Sequence, residues 1–143
     1  MKTHKNARLF LAGFIATFAM SILMYPAFQV RIPELDYASV ISGLAGGADR
    51  WFGVTVQFII GSFLFPLIYR ALYKVLPGHI PVKGLVFAAA LWIGTMVTMM
   101  PLMGYGLFAM NHPIPMVVQL ANALAQVTYG MLLAGIAGKQ NAR

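Results

Sequence analysis

Residues 84–138 read GLVFAAALWIGTMVTMMPLMGYGLFAMNHPIPMVVQLANALAQVTYGMLLAGIAG and contain no Asp, Glu, Lys or Arg. The stretches 9–28 and 51–69 are equally free of these residues. Each charged side chain costs roughly 2.5–3.5 kcal/mol at the centre of a bilayer on insertion scales, so long uncharged apolar stretches are typical of membrane spans. Because about 20 apolar residues cross a bilayer, residues 84–138 hold two spans, and the sequence predicts four in all.

The four spans use almost the whole chain of 143 residues, which is 60% hydrophobic. We place them at about residues 9–28, 51–69, 84–107 and 116–138. The predicted fold is an all-α, integral membrane, up-down-up-down four-helix bundle, and residues 1–143 form a single transmembrane domain. A mean hydropathy of +0.79 agrees with this prediction. We expect no separate soluble module.

The net charge of +7 is distributed unevenly along the chain. Eight of the ten basic residues lie in the two tails and the second connector: Lys2, Lys5, Arg8, Arg70, Lys74, Lys83, Lys139 and Arg143. The first connector contains all three acids and the other two basic residues: Arg31, Glu34, Asp36, Asp49 and Arg50. Four spans put the tails and the second connector on one side, which the positive-inside rule makes cytoplasmic. We expect a bacterial inner (plasma) membrane protein with both termini in the cytoplasm, embedded in lipid and without a nucleic-acid partner.

The basic start of the chain and the apolar run after it resemble a secretory signal peptide. The run at 9–28 is longer than the 7–15 residues typical of a signal core. No Ala-x-Ala cleavage site follows it. We therefore expect this run to remain as the first span.

A short amphipathic helix is predicted in the first, outer connector. Asp36 occupies its N-cap position, and the helix covers Tyr37–Leu44. Its apolar and polar residues fall on opposite faces: Tyr37, Val40, Ile41 and Leu44 against Ser39 and Ser42. Such a helix lies on the membrane surface, where it either caps the bundle or docks a partner.

Neutral polar residues follow one face of the last span at three- and four-residue spacing: Gln119, Asn122 and Gln126, continued by Tyr129. Polar residues in the other spans include Thr17, Ser21, Gln57, Thr95 and Thr98. Side chains of this kind bond membrane helices to one another. The alternatives are a polar cavity for a small ligand, such as a quinone headgroup, and a contact with lipid or another subunit.

Small residues recur at four-residue spacing later in the same span, at Gly130, Ala134 and Gly138. Small side chains allow the backbones of two membrane helices to approach closely. The pattern therefore predicts a helix-packing seam.

Methionines cluster at the outer end of the third span and in the turn after it. Thioethers together with an imidazole suit Cu(I), which makes Met99, Met103, Met110 and His112 candidate ligands. Methionine is also a flexible residue that fills irregular apolar interfaces, and we favour that interpretation. We accordingly predict no resident metal.

The sequence lacks the residues that haem binding, proton-coupled transport and enzymatic catalysis usually require. The chain has no Cys, and the histidines His4, His79 and His112 fall outside the predicted spans, which argues against a bis-histidine haem. No span contains the carboxylate, His or Lys on which proton-coupled transport commonly depends. We find no nucleophile–base pair and no phosphate-binding loop. We expect a protein that is not an enzyme and that holds no cofactor.

Three segments resemble a group of small four-span bacterial membrane proteins classed as a domain of unknown function (DUF6789-like). They are Ala12–Thr17 with Met20 and Met24, Met100–Phe108, and Tyr129-Gly130 with the small residues that follow. The resemblance covers most of the chain. It implies a fold and a membrane location, and it implies no activity.

These observations favour a non-catalytic accessory subunit that packs with other membrane subunits in a respiratory or photosynthetic electron-transfer assembly. One alternative is a small transporter or channel, in which a homo-oligomer lines a path with the polar stripe. A second alternative is handling of Cu(I) at the outer face.

Overall fold

The protein is a bundle of four long helices, each antiparallel to the one before it in the chain. The structure is a computed structural model that describes residues 2–29 and 36–138. The elements are α1 (Lys2–Gln29), α2 (Tyr37–Leu44), α3 (Arg50–Ile59), a π-helical turn (Ile60–Leu64), α4 (Phe65–Leu72), α5 (Ile80–Leu102), a 3₁₀ turn (Leu107–Ala109) and α6 (Pro115–Ala137). The predictions for Arg31, Glu34, Lys139 and Arg143 lie outside the described residues.

The predicted all-α membrane fold is confirmed. Four segments, each 23 residues long, are apolar enough to cross a membrane: His4–Pro26, Arg50–Leu72, Ile80–Leu102 and Pro115–Ala137. The second of these contains α3, the π-helical turn and α4, and we call it the second span. The end of the bundle at α2 is named the α2 end, and the end where α1 begins is named the terminal end.

The third span is shifted toward the terminal end relative to our prediction of 84–107. α5 begins at Ile80, because His79 precedes it in an extended conformation and a proline in the first turn suits a helix start. It ends at Leu102 rather than at 107, since Gly104 and Gly106 adopt left-handed φ angles of 86° and 71°. Lys83, which we placed before the span, therefore lies within the first turns of α5.

α1 and α6 pack against each other at the centre of the bundle, and each carries one of the other spans. The predicted seam lies where α6 meets α5. A Cβ atom added to Gly130 would stand 2.5 Å from the carbonyl oxygen of Gly84 and 2.8 Å from the Cβ of Ala88. Ala134 packs beside Gly84, and Gly138 lies against Ile80. The two backbones are therefore in direct contact.

α1 approaches the second span equally closely at its π-helical turn. A Cβ atom added to Gly13 would stand 2.6 Å from the carbonyl oxygen of Gly61 and would also collide with the ring of Pro66. A Cβ atom added to Gly61 would collide with the Thr17 hydroxyl, which donates a hydrogen bond of 2.8 Å to the Gly13 carbonyl. Small residues thus join α1 to the second span.

Pro66 explains the π-helical turn and one long-range hydrogen bond. Phe65 N–H donates to the Ile60 carbonyl, five residues earlier, so the same register would pair the Gly61 carbonyl with residue 66. Proline has no N–H. The Tyr129 hydroxyl of α6 supplies the missing donor, at 2.5 Å from the Gly61 oxygen. A backbone carbonyl that would be unsatisfied in the hydrocarbon region is bonded in this way.

α2 is present at the predicted residues, but burial does not follow the predicted apolar and polar faces. Ser42 is buried because its hydroxyl donates to the Asp49 carbonyl at 3.0 Å and accepts from Gly53 N–H at 3.2 Å. Leu44, assigned to the apolar face, is 43% exposed. Asp36 precedes the helix as predicted, yet its carboxylate makes no capping bond to the helix backbone.

Replacing Tyr129 by Phe removes the hydroxyl that donates to the Gly61 carbonyl. We expect Tyr129→Phe to lower the free energy of unfolding by about 1 kcal/mol. In a Pro66→Ala background the loss should be smaller, because the restored N–H satisfies the carbonyls of the preceding turn. Unfolding in mixed micelles with increasing SDS, followed by circular dichroism, measures both values.

Thr128→Val is the matched control, because the exposed Thr128 hydroxyl donates to the Leu124 carbonyl of its own helix at 2.9 Å. We expect this variant to leave stability nearly unchanged. An equal loss for Tyr129→Phe with and without Pro66 would contradict the explanation.

Candidate functional site

The polar stripe of α6 faces the interior of the bundle. Asn122 and Gln126 are buried, and Gln119 is half-buried nearer the α2 end. Gln119 Nε2 donates to the backbone carbonyl of Phe108 at 2.7 Å, and the backbone carbonyl of Gln119 accepts from Trp92 Nε1 at 3.1 Å. The stripe therefore bonds α6 to α5 and to the turn between them.

Tyr37 of α2 is the central partner of the stripe. Its hydroxyl donates a short hydrogen bond to Asn122 Oδ1 and accepts one from Gln126 Nε2 at 3.1 Å. Gln126 Nε2 also donates to the Thr95 hydroxyl of α5, at 3.4 Å. Burial raises the pKa of Tyr37 above its ordinary value, so the phenol stays protonated and keeps its role as a donor.

Sequence reasoning missed this role, because it assigned Tyr37 to an apolar face. The sequence did contain a signal for the hydrogen bonding of Tyr37. A tyrosine in an apolar setting needs a partner for its hydroxyl. The start of α6, with its amide side chains, is predicted to lie at the same end of the bundle as the first connector. These two observations together could have paired Tyr37 with Asn122.

An ion pair holds the start of α2 against the second span. Arg50 Nε lies 3.0 Å from Asp36 Oδ2, which also accepts from the Ser39 hydroxyl at 2.7 Å. The Asp36 side chain is 7% exposed and that of Arg50 30%. α2 is therefore fixed both at its N-terminus and through Tyr37.

A cavity of about 350 Å³ lies between the second span and α5. Its walls include Gln57 of the second span, Gly94 and Thr98 of α5, and Gln126 of α6, while Tyr37 closes it at the α2 end. Toward the terminal end, the ring of Tyr69 meets the ring of Phe87 edge-on, with centroids 5.2 Å apart. Two lining residues of α5, Ala90 near the middle of its span and Thr98 nearer the α2 end, are exposed, so the cavity opens on the side of the bundle that faces the bilayer.

Gln57 connects this cavity to α1. Its side chain is 8% exposed, and its Nε2 donates to the Ser21 hydroxyl at 3.0 Å. Ser21 in turn donates to the Thr17 carbonyl at 2.8 Å. The polar residues predicted in the first two spans thus form one chain of hydrogen bonds across the helix interface.

The candidate copper ligands lie in different surroundings. Met99 lines the cavity, whereas Met110 is 67% exposed and its sulfur lies 3.8 Å from Gln119 Nε2. His112 Nδ1 accepts a hydrogen bond of 3.1 Å from Ile114 N–H, and its ring packs on Tyr105 at 4.8 Å. Met103 is half-buried just after α5. Among residues 2–29 and 36–138, no three His, Asp or Glu side chains lie close enough together to hold a metal ion.

Comparison with known proteins places the chain in a family and gives no further relative. No curated protein matches it, and no solved structure matches it. The family of unknown function DUF6789 matches residues 4–143. This match covers nearly the whole chain and agrees with the resemblance found in the sequence. The chain belongs to the DUF6789 family.

Proposed function

We propose that this chain is a non-catalytic accessory subunit that packs with other subunits in a larger membrane complex, of the respiratory or photosynthetic electron-transfer class. The observation that carries the proposal is a group of exposed apolar side chains in and beside the turn that connects α5 to α6. Leu107 and Met110, in the turn between α5 and α6, are 60% and 67% exposed. Leu102 and Met116, at the adjoining helix ends, are 69% and 70% exposed. We call these four residues the turn patch.

The position of the turn patch favours a protein partner. Leu107 and Met110 lie beyond the ends of the helices that are long enough to cross the hydrocarbon region. Apolar side chains gathered on a surface outside the hydrocarbon region mark contacts with other proteins or with the membrane interface. A partner subunit that covers the patch removes these side chains from water.

The interior of the bundle supports a role in binding rather than in catalysis. The buried amides and hydroxyls described above bond to one another or to backbone carbonyls. Within the part of the chain that the structure describes, the spans contain no Asp or Glu side chain. General acid–base chemistry and proton-coupled transport commonly use such a group.

The proposed orientation puts both termini in the cytoplasm of a bacterium and α2 on the outer side of its plasma membrane. The charges support it. Lys5, Arg8, Arg70 and Lys74 are exposed at the terminal end, and Asp36 and Asp49 lie at the α2 end. Arg70 Nη1 donates to Asn6 Oδ1 at 2.6 Å, which holds the basic groups of two helices together.

Extraction from the native membrane in mild detergent tests the subunit proposal. We expect the tagged chain to bring down at least one other membrane protein at a constant stoichiometry, measured by quantitative mass spectrometry. Leu107→Lys should reduce the yield of that partner about tenfold, because a charge in an apolar contact costs at least ~1.4 kcal/mol.

The control is Val75→Lys, since Val75 is 80% exposed at the opposite end of the bundle. That variant should keep the partner. A chain that elutes only as a homo-oligomer, with no second protein, would refute the subunit role and favour the transporter or channel.

The orientation is tested with single-cysteine variants, because the natural chain contains no Cys. Asp49 and His4 are both exposed, at opposite ends of the bundle. We expect a membrane-impermeant maleimide to label Asp49→Cys in spheroplasts and to label His4→Cys only after the membrane is permeabilised. The reverse pattern would show that the termini face outward.

A further inference from the structure

We propose that the cavity between the second span and α5 binds one uncharged membrane lipid with a hydroxyl headgroup, and that this hydroxyl donates a hydrogen bond to Gln126 Oε1. The proposal is independent of the subunit role, since it concerns a different surface of the molecule. It rests on the shape of the cavity, on the hydrogen bonds of Gln126 and on the absence of charge along the cavity wall.

The shape of the cavity suits the end of a lipid. Its volume of about 350 Å³ is at the lower end of the range for small-molecule pockets. The sideways opening lets a long chain remain in the bilayer while the headgroup lies between the helices. Met20 and Met99 line the wall, and their flexible thioethers can adjust to the bound molecule.

The orientation of the Gln126 amide follows from its neighbours. The Tyr37 hydroxyl proton is donated to Asn122 Oδ1, and the Thr95 hydroxyl proton is donated to the Leu91 carbonyl at 3.0 Å. Both hydroxyl oxygens can therefore only accept from Gln126. They use the two N–H bonds of Nε2, at 3.1 and 3.4 Å. The carbonyl oxygen Oε1 must point elsewhere.

Gln126 Oε1 is an acceptor that the protein leaves open. Within residues 2–29 and 36–138 no group donates to it, although the side chain is only 5% exposed. Among the described residues, two polar side-chain atoms are fully enclosed and have no hydrogen-bond partner, Ser62 Oγ and Tyr69 Oη. Gln126 Oε1 has no partner either but is not one of these enclosed atoms, so it is partly accessible. The open space beside it is the cavity that Gln126 lines. An unpaired acceptor in an apolar setting is costly, and a hydroxyl donor relieves that cost.

The residues that line the cavity favour an uncharged ligand. Among the described residues that line the cavity there is no Lys, Arg or His, and the polar ones are Tyr37, Gln57, Thr95, Thr98 and Gln126. A phosphate headgroup would find no cation there, and burying its charge unpaired is unfavourable. A hydroxyl on a hydrophobic molecule fits. A reduced isoprenoid quinol and a diacylglycerol both supply that group.

The test measures how many molecules of each probe remain on the purified wild-type protein after gel filtration in detergent, by mass spectrometry. The hydroxyl probes are decylubiquinol, kept reduced under anaerobic conditions, and dioctanoylglycerol. The comparison probes are decylubiquinone, which cannot donate, and dioctanoyl-phosphatidylglycerol. We expect about one molecule per chain of at least one hydroxyl probe, and about tenfold less of both comparison probes.

Two glycines give a matched pair of variants. A Cβ atom added to either Gly94 or Gly135 meets no atom within 4 Å, so both positions accept a larger side chain. Gly94 lines the cavity, whereas Gly135 lies on the outside of α6. Gly94→Leu should abolish retention of the hydroxyl probes, and Gly135→Leu should leave it unchanged. Gln126→Leu should lower retention about tenfold.

The same retention measurements distinguish a quinol from a diacylglycerol as the ligand. Retention of decylubiquinol alone assigns the cavity to a quinol, and retention of dioctanoylglycerol alone assigns it to a lipid alcohol. Unchanged retention in Gly94→Leu would overturn the proposal. Equal retention of hydroxyl and comparison probes, or no retention of any probe, would overturn it as well.

Discussion

Direct contact between the backbones of α5 and α6 at Gly84 and Gly130 is the constraint on which the rest of the bundle depends. No side chain separates the helices at this point. Their axes therefore lie close enough for Thr95 and Trp92 of α5 to reach polar groups of α6. In a bilayer, helices gain little from burying apolar surface against one another, so close packing and hydrogen bonds hold them together.

A second close contact, between Gly13 and the turn at Gly61, joins the second span to α1. The second span therefore packs mainly on α1, and α5 packs mainly on α6. Between the second span and α5, the described residues show the ring contact of Tyr69 and Phe87 near the terminal end. At the same end, Lys83 Nζ of α5 donates to the carbonyl of Tyr73, the residue after α4, at 2.7 Å. The cavity is the space that this arrangement leaves open. Its position follows from which helices carry the glycines.

Pro66 shows how an apparent defect is accommodated. The proline removes a donor from the second span, and the backbone responds with a π-helical turn that presents the Gly61 carbonyl to α6. Tyr129 then satisfies this carbonyl and ties the second span to the central pair. Local irregularities of this kind are tolerated in membrane helices when neighbouring helices satisfy the freed backbone groups.

The sequence predicts the four spans and the short connector helix because charge and apolar length are strong signals in a membrane protein. The three- and four-residue spacing of small and of polar residues in the last span indicates the helix-packing seam at Gly130 and a polar stripe on one face of that span. It does not predict the π-helical turn, since a proline specifies which donor is lost and not how the helix adjusts. The role of Tyr37 escapes prediction, and a cavity is predicted only as an alternative without a location, because both depend on which spans become neighbours.

The most direct test of the central constraint compares Gly130→Leu with Gly135→Leu. A Cβ atom at position 130 would stand 2.5 Å from a backbone oxygen, which cannot rotate away, whereas position 135 faces open space. We predict that Gly130→Leu lowers the free energy of unfolding by about 3 kcal/mol, and that Gly135→Leu lowers it by less than about 0.5 kcal/mol. Equal values for the two variants, measured by reversible unfolding in mixed micelles, would contradict the account.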